Sequence, residues 1–225
     1  HFRSLQTSLD YVYSKVFVKS YYKDSIQDTG FGYLNPSINW VSRTQQARQD
    51  IYPRFAQSIS LDYRAAINGI PVQQFLATGG FYFPGLVLNH SLVMQAAYQA
   101  RSESNYQFSN DFPFSRGYVA VNYPRMAKLG FNYHFPIAYP DAGLAQVIYL
   151  LRLRANPFFD ITKAIDEEGS NHFYRSAGIE IFFDTKWWNQ ESISFGIRYS
   201  HLFDTDIFNT PNQWEFILPV NLYRK

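Results

Sequence analysis

Apolar and polar side chains alternate with a period of two in segment after segment, and this feature most narrows what the chain can fold into. Ile59, Leu61, Tyr63 and Ala65 interleave with Ser58, Ser60, Asp62 and Arg64, and Ile193, Phe195, Ile197 and Tyr199 interleave with Ser192, Ser194, Gly196 and Arg198. Successive side chains of a strand point to opposite faces, so each segment has one apolar side and one polar side. Ten such segments lie near 5–14, 33–43, 55–67, 74–84, 88–101, 124–136, 144–157, 173–185, 192–203 and 212–222, and Val16 to Tyr22 is also strand-like. Their spacing of about 22 residues suits a membrane-crossing strand of about 9–11 residues plus a turn and an alternating longer loop.

Composition decides between environments. The chain carries 21 Phe and 18 Tyr but 4 Trp, and aromatics at 19% exceed charged residues at 17%. Such an excess fits the aromatic girdles at the two faces of a bilayer. No run of about 18 apolar residues occurs, so no helix can span a membrane. A mean hydropathy of −0.28 does not argue against a barrel, whose apolar residues take every second position. Soluble β-sandwiches and barrels also alternate, but without this aromatic load. The fold class expected is all-β, a transmembrane antiparallel β-barrel with residues 1–225 as a single domain. A net charge of +2 with scattered Lys and Arg argues against a nucleic-acid partner. Zero cysteines exclude disulfides and thiolate metal sites and agree with a bacterial envelope protein. The first residue is His1, with neither an initiator Met nor a signal peptide ahead of it, so the expectation is a processed chain or the later part of a longer one.

Tight turns are expected at Pro84-Gly85, at Pro140-Asp141-Ala142-Gly143 and at Asn189-Gln190-Glu191. Long polar loops are expected at 44–53, 102–123, 158–172 and 204–211, with short turns on the periplasmic side and long loops on the outer side. Parity assigns the faces. Leu129, Phe131, Tyr133 and Phe135 would face lipid with Lys128, Gly130, Asn132 and His134 inward. Val147, Tyr149, Leu151 and Leu153 would face lipid with Arg152 and Arg154 inward, and Ala177, Ile179, Ile181 and Phe183 would oppose Glu180 and Asp184. The reverse assignment would put cations in hydrocarbon at about 2–4 kcal/mol each near the midplane. Asp62, Arg64, Lys128, Arg152, Arg154, Glu180, Asp184, Arg198 and Glu215 therefore line the lumen. Either they neutralise one another in a plugged barrel or they set the selectivity of an aqueous pore; mixed signs favour the plug.

The loop before the sixth strand reads Phe112-Pro113-Phe114-Ser115-Arg116-Gly117-Tyr118, and the strand two further along ends in Phe158-Phe159-Asp160. An Arg-Gly-aromatic tripeptide in a long loop, five strands from the C-terminus, resembles the bacterial surface antigen superfamily of outer-membrane protein insertases and two-partner secretion transporters. The resemblance implies that the loop folds into the barrel and that Arg116 pairs with Asp160. Phe159 and Asp160 match the family's aromatic-Asp-x-Gly pattern, whereas Thr162 stands in place of its Gly. Parity puts Asp160 on the side of Arg152 and Arg154 unless Pro157 inserts a bulge. Gly117 would let the loop reverse and Tyr118 would pack on the wall. Arg48 to Gln57, Tyr174 to Tyr199 and Trp214 to Leu218 resemble a Bacteroidetes-like subset of the family, in which a periplasmic propeller can precede the barrel. Family barrels have sixteen strands, so the resemblance implies that this chain is the C-terminal part of one. The terminal Tyr223-Arg224-Lys225 departs from the terminal aromatic common in such proteins.

No catalytic chemistry is expected. His1, His90, His134, His172 and His201 lack metal-ligand spacing, and neither a Gly-x-Ser-x-Gly elbow nor a phosphate-cradling glycine loop is present. His134 reads as a satisfied lumen hydrogen-bonder, and Asp204 and Asp206 near His201 as turn chemistry. The function expected is assistance in assembly or export of envelope proteins, or scaffolding of an outer-membrane complex, without cofactor. Its partners would be the lipid bilayer and other outer-membrane or periplasmic proteins. A passive diffusion pore and, behind it, a barrel hydrolase remain alternatives.

Overall fold

The structure, a computed structural model, describes residues 1–16, 29–47, 50–68, 71–102, 108–140, 142–144, 147–188, 191–205 and 210–218. It is all-β, one antiparallel sheet of β1 (Phe2–Val16), β2 (Thr29–Arg43), β3 (Ala56–Ala66), β4 (Gln73–Pro84), β5 (Ser91–Arg101), β6 (Arg125–Ala138), β7 (Ala142–Leu144), β8 (Ile148–Ile165), β9 (Asn171–Trp187), β10 (Glu191–Leu202) and β11 (Asn212–Ile217). Each strand pairs with the next along a ten-strand path, and the short β7 pairs only with β8. No pairing joins β1 to β11 among the described residues. Most of the strand-like stretch from Val16 to Tyr22 lies outside the described residues, as do the tail beyond Leu218 and the Asn189-Gln190 turn.

The period-two pattern becomes two faces of opposite chemistry. Along β6, Met126, Lys128, Gly130, Asn132 and His134 are buried, while Leu129 and Phe131 are 50% and 38% exposed. The fully covered side chains of the sheet include Gln99, Asn156, Asp160, Thr162, Ser176 and Ser200, whereas Leu5, Leu9, Ile59, Tyr98, Ile179 and Phe195 are open. This inverts the usual rule that large apolar groups hide and polar ones show.

The polar face is concave. Ile51 stands five residues before β3, at most about 18 Å of chain, yet it lines a cavity of about 260 Å³ together with Ser194 of β10. On a flat sheet β3 and β10 would be separated by six inter-strand steps, roughly 29 Å. The sheet therefore curls around its polar side.

Four sequence expectations are corrected. The stretch 158–172 is not a loop: β8 runs through Pro157 to Ile165, every residue from Pro157 to Ile165 pairs with β9, and only 166–170 connect them. Pro157 is exposed and keeps register with β9, where it pairs with Ile179, while the ladder to β6 skips it between the pairs Asn132–Phe158 and Phe135–Ala155. Pro140 to Gly143 is not a tight turn, since Ala142–Leu144 extends as β7 against Ile148–Leu150. The bulge expected as a risk at Pro157 occurs instead at Leu151, between the pairs Leu150–Thr185 and Arg152–Asp184. An inserted residue flips parity upstream of it, so Tyr149 pairs with Lys186 on the face of Asp184, and Leu151 lines the inner cavity with Arg152. Tyr149 and Leu151 thus leave the outward set assigned to them, whereas Val147, which precedes β8, is exposed. Finally, connections of an antiparallel meander alternate ends, so 44–55 lies at the end of 85–90 and 188–190, opposite 103–124. Long loops are not confined to one side.

Candidate functional site: a clamped loop on the polar face

Residues 108–118 and Tyr123 lie along the concave face, while 119–122 between them are exposed. Phe108 meets the Tyr33 ring of β2 edge-on at 4.9 Å, and Asp111 takes a 2.7 Å ion pair from Arg64 of β3. Phe112 sits in an apolar cluster with Leu76, Ala97, Met126 and Ala164, flanked by Phe114, Tyr123 and Tyr174. That cluster is the main apolar patch on an otherwise polar surface, and it seats the loop by burial. Lys128 donates to the Phe114 carbonyl at 2.9 Å. Ser115 is buried, 2.7 Å from the Thr162 hydroxyl, and donates to the Tyr174 carbonyl at 2.9 Å.

Arg116 then turns into the wall. Its Nε and Nη2 each donate at 2.8 Å to a different oxygen of Asp160, and its backbone N–H donates to the same carboxylate at 3.1 Å. Planar two-point pairing of this kind is the strongest arrangement open to a guanidinium. Asp160 is 0% exposed, and Lys128 supplies a second cation at 3.5 Å. Glu180 lies 3.3 Å from Arg116 Nη1 and also accepts from Arg198 at 2.7 Å and from Asn156 at 2.6 Å. Arg198 continues to Glu215 at 3.0 Å. Toward the other end, Asp184 accepts from Arg152, Arg154 and Ser194. The charges chosen by parity on β8, β9 and β10 therefore meet as ion pairs across neighbouring strands, the arrangement in which opposite charges stabilise a sheet.

The backbone fits this clamp. Gly117 has φ +84°, a conformation that side chains with a Cβ rarely adopt, and a Cβ there would meet Ser200 Cβ at 2.9 Å and Leu202 Cδ2 at 2.8 Å. Tyr118 packs edge-on against Tyr174, donates to the Arg175 carbonyl at 2.8 Å and accepts from the Asp204 N–H at 3.0 Å. Asp204 is in turn bound two ways by Arg175, at 3.0 and 2.7 Å. Those hydrogen bonds hold the Asp204 carboxyl below its ordinary range. Asp166, in the 166–170 turn, is held low in the same way by the ring of His172 at 2.9 Å.

Sequence reasoning did not find the platform beneath Arg116. Phe158 lies flat across the strand from Gly178, and Arg116 stacks on its ring at 3.7 Å. A Cβ at Gly178 would collide with the Tyr199 carbonyl oxygen and reach Phe158 Cζ at 2.8 Å. The unit repeats with Phe182, Gly196 and Arg154, whose guanidinium stands 4.1 Å over the ring. The signal exists in sequence, but it requires the strand register to pair each aromatic with its glycine. Thr162, the departure from the family pattern, is used as a buried hydroxyl partner of Ser115.

A second segment reaches the polar face from the opposite end. Thr44 and Phe55 bond each other at 2.9 Å, Gln46 caps the carbonyls of Asp50 and Ile51, and the loop turns inward. Tyr52 packs edge-on against His134 at 4.9 Å and tilts against Tyr82 at 5.4 Å. Arg154 Nη1 lies 3.1 Å from His134 Nδ1. Since a guanidinium only donates, that nitrogen carries the lone pair, and the ring serves as an acceptor. Arg48 and Gln49 lie outside the described residues.

His201 bonds Asn212 at 2.9 Å and Asp204 is held by Arg175, while Asp206 lies outside the described residues. Among the described residues no three metal-ligating side chains converge. No protein-family model, curated protein or solved structure matches the chain.

Proposed function

We propose that this chain is the wall of a bacterial outer-membrane β-barrel with a closed lumen, working without catalysis in the assembly or export of envelope proteins or as a scaffold of an outer-membrane complex. The observation that carries the reading is the inversion of the sheet: ionic pairs on the concave side, Leu, Ile, Phe and Tyr on the convex side. In lipid that convex face is satisfied and in water it is not. Closure of the barrel requires β1 to meet β11 or further strands to stand between them, because bilayer hydrocarbon tolerates no open edge. The role in assembly or export rests on the resemblance carried by Arg116-Gly117-Tyr118 and Phe159-Asp160. The clamped 108–123 segment supports a plugged lumen over an open pore.

Purified chain is expected to need detergent or lipid to stay dispersed, to run as a heat-modifiable band, and to give small or unsteady conductance in planar bilayers. Monodisperse behaviour in plain buffer would sink the membrane reading. A large steady conductance would replace the plug with a diffusion pore.

A further inference from the structure

The convex face is not uniform. A hollow of about 650 Å³ opens on it where Ala77, Gly79, Ala96 and Ala127 floor a basin walled by Phe81, Tyr98, Leu129, Ile161 and Phe173. The register places these side chains in two adjacent rows, Ile59–Gly79–Ala96–Leu129–Ile161 and Leu61–Ala77–Tyr98–Ala127–Lys163–Phe173. Lys163 belongs to the basin wall, and Arg125, two residues from Ala127 on the same face, stands diagonally across from it. Diagonal neighbours of antiparallel strands lie about 7–8 Å apart, close enough for two cations to share one anion. Both are exposed, and neither has a carboxylate partner among the described residues. This differs from Arg175 on the same face, which Asp204 neutralises. Arg125 opens β6 and Lys163 is two residues from the end of β8, so both stand at the level of the headgroups rather than of the hydrocarbon.

On the membrane reading above, we infer that this basin is a binding site for an anionic, phosphate-bearing lipid. An acyl chain lies over the small residues of β4, β5 and β6, and the phosphate is held between Arg125 and Lys163. An apolar basin alone would take any lipid chain. The two unneutralised cations at its headgroup end make the selection, and a zwitterionic lipid offers them no net charge.

The test uses the full chain in nanodiscs of equal parts phosphatidylglycerol and phosphatidylcholine, followed by detergent release and native mass spectrometry of retained lipid. Wild type is expected to retain phosphatidylglycerol preferentially. Arg125→Gln and Lys163→Gln should each lower that preference about fivefold. Ala127→Trp, which fills the basin and leaves both charges, should lower retention of the lipid altogether. Unchanged preference in the charge variants, or unchanged retention in Ala127→Trp, overturns the site while leaving the barrel in place. Failure of wild type to enter nanodiscs overturns the barrel and the site together.

Discussion

Two segments cover the polar face from opposite ends, and they are held by different physics. Residues 108–123 are fixed by an ionic clamp: Arg116 on the fully covered Asp160, Gly117 in a left-handed conformation, Tyr118 tied to Arg175 and Asp204. Residues 44–55 are held by their own backbone hydrogen bonds and by the contact of Tyr52 with His134 and Tyr82. A clamp made of charge is specific in geometry and intolerant of losing one partner, because a covered carboxylate left without its guanidinium keeps its desolvation penalty. A ring packed on other rings loses contact area in proportion and tolerates change. The first segment is built as a fixture, the second as a cover.

The contrast is broken most severely by Arg116→Ala. Asp160 then keeps only Lys128 and the backbone N–H of position 116, and unfolding free energy is expected to fall by about 3 kcal/mol, read in detergent by denaturant titration. A loss indistinguishable from that of Tyr52→Ala would erase the distinction. Gly117→Ala comes next, at about 1–3 kcal/mol, since the φ of +84° and the close Ser200 and Leu202 both oppose a methyl group. Tyr52→Ala should lower stability by about 1 kcal/mol while increasing conductance, the opposite ordering from a structural clamp. Thr162→Val removes a buried hydroxyl partner of Ser115 and is expected to lower stability by about 1 kcal/mol.

The smallest effect concerns pH. The folded Asp204 carboxyl sits below its ordinary value, so its contribution is complete above the unfolded value of about 3.9 and disappears as pH falls through the lower folded value. Proteolytic nicking of the 102–123 loop should rise only below about pH 4, and Asp204→Asn should nick readily at neutral pH. Equal protection of that variant at neutral pH would remove Asp204 from the anchor of Tyr118.

Strand order and the two faces were legible because a period of two survives in any local window. Lys128, Glu180, Asp184 and Arg198 were assigned to one side by parity alone, and the ladder brings them into pairs. The length of β8 was not legible, because Pro157 reads as an end signal and only the pairing with β9 carries the strand past it to Ile165. Tyr149 and Leu151 were misplaced for a related reason: one inserted residue reverses parity, and nothing in the local pattern marks which residue is inserted.

By itself the sequence determined a chain of alternating strands with one apolar and one charged side, since alternation is written residue by residue. The tertiary structure alone decided which charge meets which, that Phe158 and Phe182 lie over Gly178 and Gly196 beneath Arg116 and Arg154, and that two distant loops share one concave face. Those facts depend on register and curl, which arise from pairing between segments far apart in the chain, and no local run of residues encodes them.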